Sequence, residues 1–170
     1  MRLEIPYFSQ YLDVSDPYWS ERSCAIACVA MVLKTSAPID RLVKECAEKY
    51  GYNPELGWTH AEIVSLFADH SVRAERKEFK REGKFDDGVR EIVASLDAGH
   101  PVMISTIKNW SEEKKFHVVL FVGYEKEGEK ITGFYYHDPA FREKKEGENR
   151  FVPFEIFEKH WRRLAIFPKA

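Results

Sequence analysis

The chain has 170 residues, 44% of them hydrophobic and 32% charged, with a formal net charge of −2. That length gives enough core for a single domain over residues 1–170, and the balanced charge gives no reason to expect nucleic acid or an anionic membrane as a partner. No apolar run approaches the roughly 20 residues that span a bilayer, and the first residues lack a basic-then-apolar secretion signal, so the expected location is the cytoplasm.

Glu4 to Gln10 reads as an extended segment in which Ile5, Tyr7 and Ser9 alternate with their neighbours and Pro6 fixes one φ. Gln10 closes it. An amide at such a place is commonly a surface group, yet ahead of a cysteine helix its NH₂ could bind an oxyanion. Tyr11 to Arg22, with Trp19, reads as a polar and aromatic loop. It would wall a cleft or cover the core.

Ser23 to Leu33 is almost wholly apolar and begins Ser23-Cys24. Ser23 suits an N-cap, which places Cys24 in the first helical turn, where the helix dipole favours a thiolate. Free cysteine is more often a packed core residue, so this stretch alone is a weak sign of a nucleophile. Cys24 and Cys28, four apart on a helix, have Cβ atoms about 5–6 Å apart, beyond the roughly 3.5–4.5 Å of a disulfide. Cys46 is the third cysteine, far in sequence from this pair, so no zinc site is expected and no cofactor is implied.

Asp40 is expected to cap a helix with the stripe Leu42, Val43, Cys46, Ala47 and Tyr50, ending at Gly51. Thr59 and Glu62 have capping-box spacing, with Trp58 and Ile63 placed as a hydrophobic staple; His60 in that first turn is expected to be exposed. Arg73 to Asp87 is dense in charge and reads as a solvated strand or loop. A helix with Val89, Ile92, Val93 and Leu96 on one face then stops at Gly99, and Val102 to Ile107 suits a central strand.

His117 to Tyr124 is the strongest strand, followed by charged residues with one glycine and a second strand, Ile131 to His137, ending at Asp138-Pro139. A turn centred between Glu127 and Gly128 would set His117 directly opposite Asp138 on one face, close enough for a carboxylate–imidazole hydrogen bond. Taken singly, each is ordinary: a rim histidine and an Asp-Pro turn. His137 would face the other way. Arg142 to Arg150 reads as a solvated loop, Phe154 to Trp161 as a short amphipathic helix, and Leu164 to Phe167 as a last strand.

The order Gln10, Cys24, His117, Asp138 resembles the papain-like cysteine peptidases, most closely the bacteriocin-processing (double-glycine leader) peptidase-like group. The resembling stretches are Ile5 to Gln10, Cys24 to Leu33, Gly57-Trp58, Gly99 to Val102, His117 to Tyr124, Tyr136 to Ala140, and Phe157 with Trp161. The resemblance implies an α+β papain-like fold, with a helical part headed by the nucleophile helix packed on a mostly antiparallel sheet. It implies Cys24 as nucleophile, His117 as base, Asp138 as orienter of the imidazole, Gln10 as oxyanion donor, and a peptide or protein substrate. One departure is that the family cysteine is usually followed by Gly-Pro or a similar small pair, here Ala25-Ile26. Transporter-linked members also carry membrane and ATPase domains that this sequence does not include. Two other readings remain open here: a transglutaminase-like acyl transferase using Trp19 as donor, and a catalytically silent relative that only binds peptides.

Overall fold

The computed structural model describes residues 1–169. Six strands make one sheet: β1 (Arg73–Glu78), β2 (Val102–Ile107), β3 (Phe116–Glu127), β4 (Lys130–His137), β5 (Arg150–Pro153) and β6 (Trp161–Lys169). Their spatial order is β1-β6-β2-β3-β4-β5, and every pairing is antiparallel. Alternation sends Met103, Leu120, Val122 and Ile166 to one face and Val102, Ile104, Val119, Phe121, Ala165 and Phe167 to the other. Helices cover both faces, so the inner strands have no solvent side and read in sequence as unbroken apolar runs.

Around the first face lie α1 (Pro17–Ser20), α2 (Cys24–Leu33), α3 (Ile39–Tyr50) and α4 (His60–Asp69). The second face carries α5 (Lys84–Asp97) and α7 (Phe154–His160), and α6 (Lys144–Gly147) is a single turn near β5. Helix α2 is the hub of the first layer: it has no charged residue, and Ala25 through Val32 are all buried. It stops at Lys34, which takes the left-handed conformation (φ 50°) and returns its N–H to the carbonyls of Ala30 and Met31. Helix α4 opens with the expected capping box, Thr59 and Glu62 each bonding the other's backbone N–H.

Several expectations change. Pro38, not Asp40, stands at the start of α3; Asp40 lies in the first turn, and its carboxylate accepts from the Ser15 N–H and hydroxyl. The loop Tyr11–Arg22 contains α1, capped by Asp16, and the loop Arg142–Arg150 contains α6. Within the charged stretch Arg73–Asp87, Arg73–Glu78 forms the edge strand β1, where charge discourages further pairing, and α5 already begins at Lys84. The hairpin register also differs. Glu127 pairs with Lys130, so the two-residue turn is Gly128-Glu129, and Leu120 pairs with His137 after register shifts at Phe121/Gly123 and Glu125/Lys126. Asp138 therefore lies past the end of β4, not directly across from His117.

The second core layer is largely aromatic. Phe157, fully buried, has its ring centroid 4.9 Å from Phe134, 5.5 Å from Phe121 and 5.0 Å from Trp161. Truncation there leaves a cavity that rigid ring neighbours cannot fill. Phe157→Ala is expected to cost about 3–5 kcal/mol in urea denaturation, whereas Leu56→Ala, at a 73% exposed site, should stay within about 0.5 kcal/mol.

Candidate active site

Cys24 is the first residue of α2, and His117 stands at the start of β3 beneath that helix end. The Cys24 thiol lies close enough to the His117 imidazole and the Val118 backbone for both to favour its thiolate. The far side of the imidazole is occupied: His117 Nε2 donates to Asp138 Oδ1 at 2.7 Å. An ionised carboxylate can only accept, so Nε2 carries the proton and Nδ1 is the nitrogen left for sulfur. His117 and Asp138 are 5% and 3% exposed, while Cys24 keeps part of its surface open.

The three groups set one another's charge. Burial pushes the His117 imidazolium toward neutrality, but the hydrogen bonds and charges of Asp138 and Cys24 outweigh it and raise its pKa. Burial also pushes Asp138 up; His117, the Ala140 N–H and Arg150 outweigh it and hold the carboxyl below its usual range. For Cys24, burial raises the pKa, and the hydrogen bond and charge of His117 with the Val118 backbone bring it down below an ordinary thiol. The other cysteines go the opposite way. Burial drives Cys28 well above the thiol range and Cys46 up to about 12. All three are free, and Cys28 and Cys46 are fully buried in the core.

Asp138 is held by backbone as much as by side chains. Ala140 N–H donates to its Oδ1 (2.9 Å), and its own N–H donates to the Gly147 carbonyl (2.8 Å). The N-terminal segment then clasps the loop: Tyr7 Oη donates to the Asp138 carbonyl (2.9 Å), Ser9 Oγ to the Phe141 carbonyl (2.5 Å) and Gln10 N–H to the Pro139 carbonyl (2.9 Å). His137, facing away from Asp138's role, is a second clasp. The Asn149 N–H donates to its Nδ1 and its Nε2–H donates to the Ile5 carbonyl, both at 3.0 Å. Burial, only partly offset by that backbone contact, keeps it neutral.

Gln10 is 3% exposed, so it is not a surface amide. Its Nε2 donates to the Ser20 carbonyl at 2.7 Å, which fixes which end of the amide is nitrogen; one N–H remains to be directed elsewhere, and Oε1 is buried without a partner. Ser23 does not cap α2. With φ −105° and ψ 23° it lies outside the extended capping geometry, and its hydroxyl donates to the Trp19 carbonyl instead (2.7 Å). The first-turn N–H groups at Cys24 thus have no side-chain cap. Trp19 packs its ring on Trp58 (centroids 5.5 Å, stacked) and against Tyr52, and Trp58 Nε1 donates to the Arg22 carbonyl (3.0 Å), bracing the turn that precedes Cys24.

The model of the Peptidase_C39 like family matches residues 2–165. The chain belongs to that family. Among solved structures, a candidate C39-like peptidase from Bacillus anthracis is similar at TM-score 0.69 and 19% identity, covering 98% of this chain and 95% of the other. A double glycine motif protease from an AMS/PCAT transporter, in complex with the leader peptide, is similar at TM-score 0.62 and 16% identity (99% and 94% covered). The peptidase domain of Streptococcus ComA, a bi-functional ABC transporter of a quorum sensing pathway, gives TM-score 0.62 and 19% identity (88% and 93% covered). No curated protein matches the chain. Family and fold are thus those of the C39 papain-like cysteine peptidases. None of the described helices is long and apolar enough to cross a membrane, and among the described residues no three His, Cys, Asp or Glu side chains are grouped to hold a metal ion.

Reading the sequence alone missed Tyr7, Ser9 and Gly147 as the scaffold of Asp138. Gly147 was the least visible: a Cβ there would overlap the Tyr7 hydroxyl and the Asp138 carbonyl. Gly147→Ala is therefore expected to lower stability by about 1–3 kcal/mol in denaturant titration, through overpacking at a site that cannot expand. A change below 0.5 kcal/mol would mean that the Asp138 loop is free to shift.

Proposed function

We propose that this member of the C39-like family is an active cysteine peptidase in which Cys24, His117 and Asp138 act as a triad, with Gln10 and the Cys24 N–H as oxyanion donors. The observation that carries this reading is the sulfur: of three free thiols, Cys24 alone is accessible, and it alone is held below the ordinary thiol range, by His117. The Cys24 thiolate adds to the carbonyl carbon of a peptide bond, breaking the C=O π bond and placing its electron pair on oxygen. Uncapped first-turn N–H groups and the unused Nε2–H of Gln10 are the donors available to that oxygen. His117, as imidazolium, gives its proton to the leaving nitrogen as the C–N bond breaks. Neutral His117 then takes a proton from water, which attacks the thioester and restores Cys24. Asp138 keeps the imidazole in the tautomer and orientation that both steps use.

A peptide or protein substrate fits this chemistry, and a similarly folded protease has been crystallised with its leader peptide. Ala25 and Ile26 are both buried in the core, so the departure after Cys24 adds no side chain above the sulfur. The acyl-transferase reading would use the indole N–H of Trp19, whose ring packs against Tyr52 and Trp58.

Cleavage of a denatured-protein digest, followed by mass spectrometry of new termini, tests the reading. Wild type should generate new termini, Cys24→Ala should generate none, and Gln10→Ala should lower the rate by about 10²–10³ while remaining folded. New termini from Cys24→Ala, or an unchanged rate in Gln10→Ala, would contradict it. Transfer of acyl groups to added amines, lost in Trp19→Phe, would favour the acyl-transferase alternative.

A further inference from the structure

Arg162, on β6 two strands from His117, has no counter-charge among the described residues. Arg76, Arg90 and Arg142 pair with Glu78, Asp87 and Glu21. Arg162 is half-buried, and among the described residues no carboxylate neutralises it: burial alone accounts for its lowered pKa. Its guanidinium lies on the ring of Phe116, with Cζ 3.4 Å from the centroid, and its Nη1 donates to Ser105 Oγ at 2.8 Å. The ring below and the serine beside it hold the group in one plane. One of five N–H donors is used, and neither Nε nor Nη2 is both buried and unpaired.

The place of this group in the sheet matters as much as its charge. Phe116 precedes His117, and the partners of Val118 and His117 on β2 are Ser105 and Thr106. Arg162, on β6, is therefore two strands from His117 on one side, while Gln10, tied to Pro139 after β4, is on the other side. His60 at the start of α4 adds no negative charge there. It is half-buried, not exposed as its position suggested, and burial with the charges of Arg76 and Arg162 pushes its pKa down to about 4. Glu62, the acid in that helical turn, is engaged with the Thr59 N–H. Phe116 itself is 62% exposed, an uncommon state for a phenylalanine beside a buried histidine.

The geometry points to Arg162 as a specificity-determining residue that receives a carboxylate of the bound peptide, two or three residues from the scissile bond on the side away from Gln10. Two strand spacings make about 10 Å, and an extended peptide advances about 3.4 Å per residue. A planar guanidinium held on a ring presents its N–H edge to a carboxylate as a fork. Pairing there neutralises a partly desolvated cation that the fold leaves uncompensated. The carboxylate is either an Asp or Glu side chain or the peptide's C-terminus. This inference rests on the peptidase reading for the position of the scissile bond, but peptide binding can be measured without turnover.

The test is protection of Cys24 from iodoacetamide, read by mass spectrometry as an initial rate on the full chain. Competitors are random octapeptide pools, acetylated and amidated at their ends, rich in Asp and Glu or in the isosteric Asn and Gln; a third, amide-rich pool has free C-termini. The carboxylate pools should protect wild type about three- to tenfold better than the amidated Asn/Gln pool. Protection by the amidated acidic pool identifies a side chain as the ligand, and protection only by free C-termini identifies the terminus. Arg162→Gln should erase the preference, and Arg162→Glu should shift it to a Lys-rich pool. Phe116→Leu, which removes the supporting ring, should weaken it even if Arg162 variants fold poorly. Equal protection by all pools in wild type, no protection by any, or a preference that survives Arg162→Gln or, should that variant not fold, Phe116→Leu would overturn the assignment. Absence of proteolysis alongside a clear preference would instead count against the peptidase reading and leave the carboxylate site standing.

Discussion

The hydrogen bond between His117 Nε2 and Asp138 Oδ1, 2.7 Å long and almost sealed from water, is the contact on which the site depends. Left to itself, burial would strip the charge from both groups. Each stays charged because the other is within hydrogen-bonding distance and because Asp138 has a further donor in Ala140. A buried pair of this kind is weak evidence for stability, since an apolar pair of similar shape often does as well. Its consequence is chemical. The charge of His117 lowers the pKa of the Cys24 sulfur against the same burial that raises those of Cys28 and Cys46.

That pair is held by segments far apart in the chain. The N-terminal segment is not a regular strand, yet it laces β3 to β4 and the chain beyond: Leu3 bonds Val122, Ile5 receives His137, Tyr7 reaches Asp138, Ser9 reaches Phe141 and Gln10 reaches Pro139. The segment that brings in Gln10 therefore also fixes the loop that brings in Asp138. On the helical side, Trp58 holds the Arg22 carbonyl and Ser23 holds that of Trp19, so the turn before Cys24 is set by its own neighbours. The freedom of the α2 N-terminus follows. A serine spent on the preceding loop cannot cap the helix, and those N–H groups stay available.

Much of this was legible in the residues. The capping box of Thr59 and Glu62 and the apolar run of α2 follow from local chemistry, and both appear as expected. The central place of β2 was readable because its side chains are apolar on both faces. The closeness of His117 and Asp138 was anticipated through a register that does not exist: the turn is Gly128-Glu129 rather than one centred on Glu127-Gly128, the two irregularities in the hairpin cancel, and the chain after β4 brings Asp138 back. Moving a turn by one residue moves every pair along the hairpin by two, so an arithmetic of pairs fails even where its endpoint is near. Ser23 suited a cap by type but not by backbone angle, and His60 suited an exposed first turn until β1 and β6 brought Arg76 and Arg162 beside it. Tyr7, Ser9 and Gly147 act across more than 120 residues of sequence, and no local pattern reports such contacts.

The central claim is that Cys24 is paired as thiolate with a His117 imidazolium. The most direct measurement is the rate of Cys24 carboxamidomethylation against pH, with each cysteine quantified separately by mass spectrometry. The lowered thiol pKa predicts that Cys24 already reacts at about pH 6, well below the ordinary thiol value of about 8.5. The raised His117 pKa predicts that the pair persists across neutral pH, because the imidazolium is lost only as the pH rises through the raised value. Cys28 and Cys46 should remain unmodified throughout. A Cys24 profile that rises only near pH 8.5, or labelling of Cys28 or Cys46 ahead of it, would contradict the account.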